Sequence, residues 1–246
     1  MSRFLPGAAL CRGLARTLLA AASTAAAGSF SISPIRVELS SRSRTQVLTV
    51  RNEEDRPVVV QLRTLEWLQV DGQDRLEATR DLLATPPLFT LPARGQQVVR
   101  IATRRAPQPG RELDYRLLIE EVPQAAAADF TGLQVALRLS LPVFVQPEPA
   151  ARGSLGWSAA WLADGRLQLR AHNTGNAHVQ VLDFDVQPVG ADQPVLHNSA
   201  ARYLLPGSGS EWTLELPRAA VRFSALRLRG ASDQGDFTAE VSVASP

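Results

Sequence analysis

The segment LQVALRLSLPVFV, Leu133 to Val145, puts Leu133, Val135, Leu137, Leu139, Leu141, Val143 and Val145 on one parity. The other parity carries Gln134, Ala136, Arg138, Ser140, Pro142 and Phe144. Successive side chains of a β-strand point to opposite faces, so this alternation predicts a strand with one apolar face. Extended over its full length, it would reach roughly 43 Å, about twice an ordinary strand. Three readings fit such a strand. It crosses between two domains, it keeps part of its face for another chain, or it is a long core strand with both ends buried.

Outward from this segment the chain is punctuated as short strands. On its N-terminal side a loop over Pro123 to Gly132 contains an alanine run. Before that come apolar or alternating stretches at Phe30–Leu39, Gln46–Arg51, Val58–Trp67, Leu88–Leu91, Gln97–Thr103 and Leu113–Val122. Turn signals separate them, among them Asp71-Gly72, Pro86-Pro87 and Pro92 to Gly95. Residues Leu82–Ala84 suggest a short helical turn. On the C-terminal side, Pro147-Glu148-Pro149-Ala150-Ala151 has the composition of a stiff linker and marks a boundary. Beyond it, Gly156–Leu162, Arg166–His172, Ala177–Val186, Ala201–Leu205, Trp212–Leu216, Phe223–Arg229 and Phe237–Val243 read as strands again. Short strands at this spacing, without long helical periods, indicate an all-β protein of two Ig-like β-sandwich domains. The expected domains are residues 28–147 and 148–246.

The chain has 246 residues, 45% of them hydrophobic, enough for two modest cores. Residues 1–27 read separately. Arg3, Arg12 and Arg16 occur without any acid and precede Leu18-Leu19 and an alanine-rich run, the pattern of a cleaved secretory signal peptide. Removing those three arginines from the 26 basic residues leaves 23 against 24 acidic ones. The basic pI is therefore no nucleic-acid footprint, and no nucleic-acid partner is expected. Cys11 is the single cysteine and leaves with the leader, so the exported chain is expected to hold no disulfide. Every basic residue is an arginine.

Catalytic signatures are missing. His172, His178 and His197 lack metal-ligand spacing and read as surface or turn residues. There is no nucleophile elbow, phosphate loop or dinucleotide fingerprint. We expect no enzyme activity, no metal and no cofactor.

An exported, thiol-free pair of sandwiches with one overlong amphipathic strand resembles the periplasmic pilus-assembly chaperones of the chaperone–usher pathway. The resemblance rests on Ser33-Pro-Ile-Arg36-Val, Ala84-Thr-Pro-Pro87 and Leu91-Pro92, followed by Val99-Arg100-Ile101. It continues through Tyr115-Arg-Leu117 with Glu120-Glu121-Val122-Pro123 and through Leu133 to Pro147. Weaker matches are Asn173-Thr-Gly-Asn176 and Leu205-Pro-Gly-Ser208.

The resemblance implies two sandwiches in an L-shaped arrangement, in the periplasm. It implies binding and stabilisation of pilus subunits by β-strand donation, and their delivery to an outer-membrane usher. Subunit-binding positions would then be Leu133, Val135, Leu137 and Leu139, with Arg36 anchoring the subunit carboxylate alone or with Arg138. The family's anchoring lysine falls on Pro142, and this departure, with the segment Ser140 to Phe144, looks more like the archaic branch, whose operons often encode spore-coat-U-like pilins. Interdomain charges are implied at Arg100, Glu121 and Asp233, an Arg100–Glu121 pair among them, with another family arginine replaced by Gln146. Exposed apolar edges invite association, so the free protein is expected to protect this edge either by self-association or by a mobile loop from Pro123 to Gly132. The alternatives are a structural or adhesive surface protein of tandem Ig-like domains, and a carbohydrate-binding module with a platform built from Trp157, Trp161 and Trp212.

Overall fold

The computed structural model describes residues 30–123, 135–148, 150–217 and 222–245. The expected leader lies outside them. The regular elements of the described residues are all β-strands. The first ten are β1 (Phe30–Ser33), β2 (Val37–Leu39), β3 (Thr45–Asn52), β4 (Val58–Val70), β5 (Gln73–Ala78), β6 (Leu82–Thr85), β7 (Leu88–Leu91), β8 (Gln96–Thr103), β9 (Leu113–Glu121) and β10 (Arg138–Val145). They form two facing sheets, β1-β3-β8-β6 and β2-β10-β9-β4-β5, with β7 also on β4. The helical turn expected at Leu82–Ala84 is strand β6 instead. Leu82 is buried there, and β8 offers a free edge that satisfies the backbone.

The remaining strands are β11 (Leu155–Trp161), β12 (Leu167–Asn173), β13 (Val179–Pro188), β14 (Leu196–Asn198), β15 (Arg202–Leu204), β16 (Gly209–Leu214), β17 (Ala225–Ser232) and β18 (Gly235–Ala244). They follow the order β14-β13-β17-β18-β11-β12-β16, with β15 on β13. The link between β18 and β11 is a short parallel one, Ala159↔Val243 and Ala160↔Ala244. The sheet folds there around its own core of Leu167, Leu169, Val181, Phe184, Leu226 and Leu228. Trp161 and Trp212 are buried in it. Trp157 is half-buried and stacked on Trp212 and Phe237. These tryptophans fill a core and form no exposed platform.

Period-2 burial explains most of the first sandwich. Val58, Val60 and Leu62 of β4 face Leu117 and Ile119 of β9 and Leu141, Val143 and Val145 of β10 in one cluster. Further along the same strands the outer face is also covered. Leu65 and Trp67 of β4, Leu118 of β9 and Phe144 of β10 are buried on the opposite parity. Trp67 and Phe144 join Leu205 in a separate cluster, with Tyr203 packed against it. The second sandwich lies on that end of the sheet.

Each sandwich closes a turn around one buried asparagine. Asn52 donates from Nδ2 to the carbonyls of Arg56 and Pro92 and accepts from the amide of Glu54. Asn173 donates to Ala177 O at 2.8 Å and Leu204 O at 2.9 Å, and accepts from the amides of Gly175 and Ser154. Asn173→Ala would strand these backbone groups away from water, at a cost of about 3 kcal/mol. We expect a fall of roughly 10 °C in melting temperature, read by thermal unfolding.

Candidate functional site

Two features meet on β10. The first is its edge. On one side β10 pairs with β9 along its whole length, from Arg138↔Glu120 to Val145↔Leu113. On the other side β2 covers only Val143 to Val145. Among the described residues, Arg138 to Pro142 therefore present an unpaired edge, and Val135–Leu137 lead into it.

The strand is shorter than its alternation suggests. Among the described residues it begins at Arg138, and Val135 to Leu137 are not in a strand. The partner strand explains this, because β9 ends at Glu121 and runs into Val122-Pro123. The last ladder bond is donated by Glu121 N to Leu137 O, 2.9 Å, while Leu137 N donates to Glu121 Oε2 at 3.3 Å. Leu133 lies outside the described residues. Val135 is 72% exposed. Leu137 and Leu139 are half-buried against the first core. Arg138 is bound to Glu120.

The second feature is a buried charged seam between the sandwiches, and its centre is His178. Contrary to the surface position expected for it, His178 is buried, whereas His172 and His197 are exposed. Its ring stacks on Phe144 of β10, with centres 3.5 Å apart and planes 11° from parallel. Nδ1 lies 2.7 Å from Glu112 Oε1, and Nε2 lies 3.1 Å from Asp233 Oδ2. Glu112 Oε1 also accepts from His178 N at 2.8 Å. Arg36 reaches Asp233 at 2.9 Å and Glu38 at 3.1 Å. Gln180 N donates to Asp233 Oδ1. Gln146 donates to Glu38.

The charges of this seam hold one another. Burial alone would lower the His178 pKa. Its hydrogen bonds to Asp233 and Glu112, and their charges, outweigh that and raise it to about 9. Both ring nitrogens then carry protons and both donate. Burial, and then the neighbouring Glu112, push Asp114 well above the usual carboxylate range. For Asp233, burial acts upwards, but the bonds from His178 and Gln180 bring the carboxyl below its ordinary value.

Glu112, Asp114 and His178 offer ligand atoms within 4.8 Å of one another. Two ligands on one zinc ion at tetrahedral angles stand about 3.3 Å apart. The 2.7 Å between Nδ1 and Glu112 Oε1 is instead a charged hydrogen bond.

The expected interdomain charges are thus rearranged. Asp233 does face the other sandwich, and its partner there is Arg36. Arg100 is exposed on β8, in the opposite sheet from Glu121. Glu121 lies 3.5 Å from Arg56. The Arg100–Glu121 pair does not form because those side chains belong to different sheets. Arg36, expected to be free for a carboxylate, is already bound to two acids.

A third contact sets the two sandwiches against each other. The β4–β5 hairpin turns at Asp71-Gly72, both with positive φ (50° and 73°), as a tight two-residue turn requires. Just before it, the Gln69 side chain donates to Tyr203 O and accepts from Leu205 N, both at 2.9 Å. It copies a peptide group and pairs with the second sandwich as a strand would. Sequence reasoning passed over Glu112, Asp114, His178, Phe144 and Gln69. One signal was available: Glu112 directly precedes β9 and Asp114 lies two residues on, so strand alternation places both acids on one face.

Residues 29–151 match the family described as pili and flagellar-assembly chaperone, PapD N-terminal domain. No curated protein matches the chain. Among solved structures, it is similar to a chain of the CsuC–CsuE chaperone–tip adhesion subunit pre-assembly complex from archaic chaperone–usher Csu pili of Acinetobacter baumannii. That match has a TM-score of 0.65 and 18% identity over 88% of this chain and 99% of the other. The E. coli chaperone DraB is similar at a TM-score of 0.59 and 22% identity, over 87% and 97% of the two chains. A chain of the Salmonella enterica complex of SafA pilin with the SafB chaperone gives 0.59 and 20%, over 86% and 95%. At these identities the likeness carries the fold.

Proposed function

Because the chain belongs to the family of pili and flagellar-assembly chaperones, we propose that it binds pilus subunits in the periplasm by lending them the open edge of β10, and passes them to an outer-membrane usher. The observation that carries this reading is an apolar strand edge that, among the described residues, is unpaired from Arg138 to Pro142, with Val135 exposed beside it. An incomplete subunit sandwich would gain main-chain bonds from that edge and side chains from its apolar parity. Leu133, Val135, Leu137 and Leu139 are the positions proposed to enter the subunit. Burying a few such residues contributes on the order of 5–10 kcal/mol before ordering costs.

In this reading residues 1–27 direct export, residues 28–147 form the subunit-binding domain and residues 148–246 form the second. The Arg36–Asp233–His178–Glu112 seam holds β10 between them. The work is done by binding alone, without catalysis or cofactor. Co-expression with the cognate pilin tests it. Periplasmic pilin should accumulate with the chaperone and be degraded without it. Equal pilin in both cases would refute strand donation.

A further inference from the structure

The backbone of β10 divides into two sets. Glu121 N donates to Leu137 O, so the peptide groups of Leu137, Leu139, Leu141 and Val143 point towards β9. Gln146 N donates to Leu39 O, so those of Arg138, Ser140, Pro142 and Phe144 point the other way, towards β2 and the open edge. The pairing with β9 runs from Arg138 to Val145 without a shift of register, and the alternation is unbroken. Beyond the reach of β2, the edge therefore offers the amides of Arg138 and Ser140. Pro142 has no amide to offer. Its carbonyl is aimed at β2, because the parallel pair Val37↔Val143 sets the Val37 amide against the residue before Val143. A proline is tolerated inside a strand where its missing N–H faces away from the ladder. Pro142 meets that condition towards β9, and its ring fills the place of a third edge amide. The edge available for pairing is thus shorter than the edge left unpaired.

Side-chain pattern alone does not fix where a partner strand sits. Parity excludes a slip of one residue, since that would turn every side chain to the other face. A slip of two keeps the faces. Leu133, Val135, Leu137, Leu139 and Leu141 repeat every second residue, so a strand shifted by two meets an equivalent apolar row. Pro142 breaks this equivalence. A strand shifted towards β2 would set a carbonyl against the prolyl ring, unpaired and shut away from water. Such a loss lowers affinity about tenfold or more.

We propose that Pro142 is the register stop of this edge: a docked strand takes the amides of Arg138 and Ser140 and pairs no further. This rests on the strand-docking reading above. The stop selects subunit strands whose pairing stretch ends level with Ser140.

Amide exchange of the isotopically labelled protein, free and in the complex purified after co-expression with the cognate pilin, separates the two ideas. In the complex the Arg138 and Ser140 amides should exchange at least about a hundredfold more slowly than in the free protein, while that of Phe144, which faces β2, should not change. Pro142→Ala adds an amide on the open side. That amide should be fast in the free variant and slow in its complex, where the docked ladder gains a rung. Ser140→Pro puts a second proline on the same parity. It leaves the ladder with β9 intact and should lower co-purified pilin about tenfold. This variant also serves if Pro142→Ala fails to fold. An added amide that stays fast in the complex would overturn the stop while leaving strand docking intact. One already slow in the free variant would overturn it too, by giving Pro142 the task of keeping β2 short. Undiminished pilin with Ser140→Pro would overturn it as well. Arg138 and Ser140 amides equally fast with and without pilin would refute strand docking and the stop with it.

Discussion

Val135→Asp should abolish accumulation of the cognate pilin while leaving the melting temperature of the free chaperone unchanged. Val135 is 72% exposed and lies outside any strand, so a carboxylate there stays in water. Such surface changes stay within about 0.5 kcal/mol. In the complex the same carboxylate would enter an apolar groove, which costs several kcal/mol, or at least about a hundredfold in affinity. Leu139→Asp is the contrasting variant. Leu139 is half-buried against the first core, so that change should lower both pilin capture and melting temperature. Pilin recovery measured beside thermal unfolding of each variant decides the matter. Unfolding of free Val135→Asp would show that this position serves the core, and undiminished pilin recovery would remove it from the binding surface.

The seam should make the protein lose stability as pH rises from near neutrality towards 9. His178 has a folded pKa of about 9 against an ordinary 6.5. Its contribution is therefore full below 6.5 and is lost as pH climbs through 9, amounting to about 3 kcal/mol. Asp114 acts in the same sense, because its folded pKa is also raised. Asp233 acts in the opposite sense at the acid end, since its lowered pKa favours the folded state above the ordinary carboxylate range. Maximum stability should thus fall on the mildly acid side of neutrality. His178→Ala leaves Glu112 buried without its cation, which costs about 3–5 kcal/mol. Its melting temperature should drop by roughly 10 °C. The decline between pH 6.5 and 9 should also flatten in this variant. A His178→Ala protein with an undiminished decline would assign the pH dependence to another group.

The strands were legible because period-2 alternation is a local signal, as in Val58 to Leu62 or Leu139 to Val145. The two-sandwich architecture followed from it. The length of β10 was not legible. The alternation runs on past Arg138, whereas the ladder ends where β9 reaches Val122-Pro123, a fact about the neighbouring strand. The burial of Phe144 and Trp67 was hidden for a similar reason, since both sit on the parity that faces water until a second sandwich covers it. His178 looked like a turn residue because it follows the turn-like Asn173-Thr174-Gly175-Asn176. Its partners Glu112 and Asp233 are distant in sequence, and only the approach of the two sandwiches brings them together. Arg36 and Asp233 were both singled out, for different purposes, and the fold sets them against each other. The alternative of a structural surface protein gave way to family membership, which tandem sandwiches alone could not have decided.

The stack of His178 on Phe144 has one more consequence, which concerns phase. A strand has only two orientations for any residue, so clamping one side chain settles the orientation of all the others along the same straight run. With Phe144 turned towards the second sandwich, Leu139 must turn the other way, and Leu137 after it. The clamp thus sets the presentation of side chains several residues from anything it touches. Deleting one residue between Leu139 and Phe144 would exchange the two faces of the free end, offering Arg138 and Ser140 where leucines now stand.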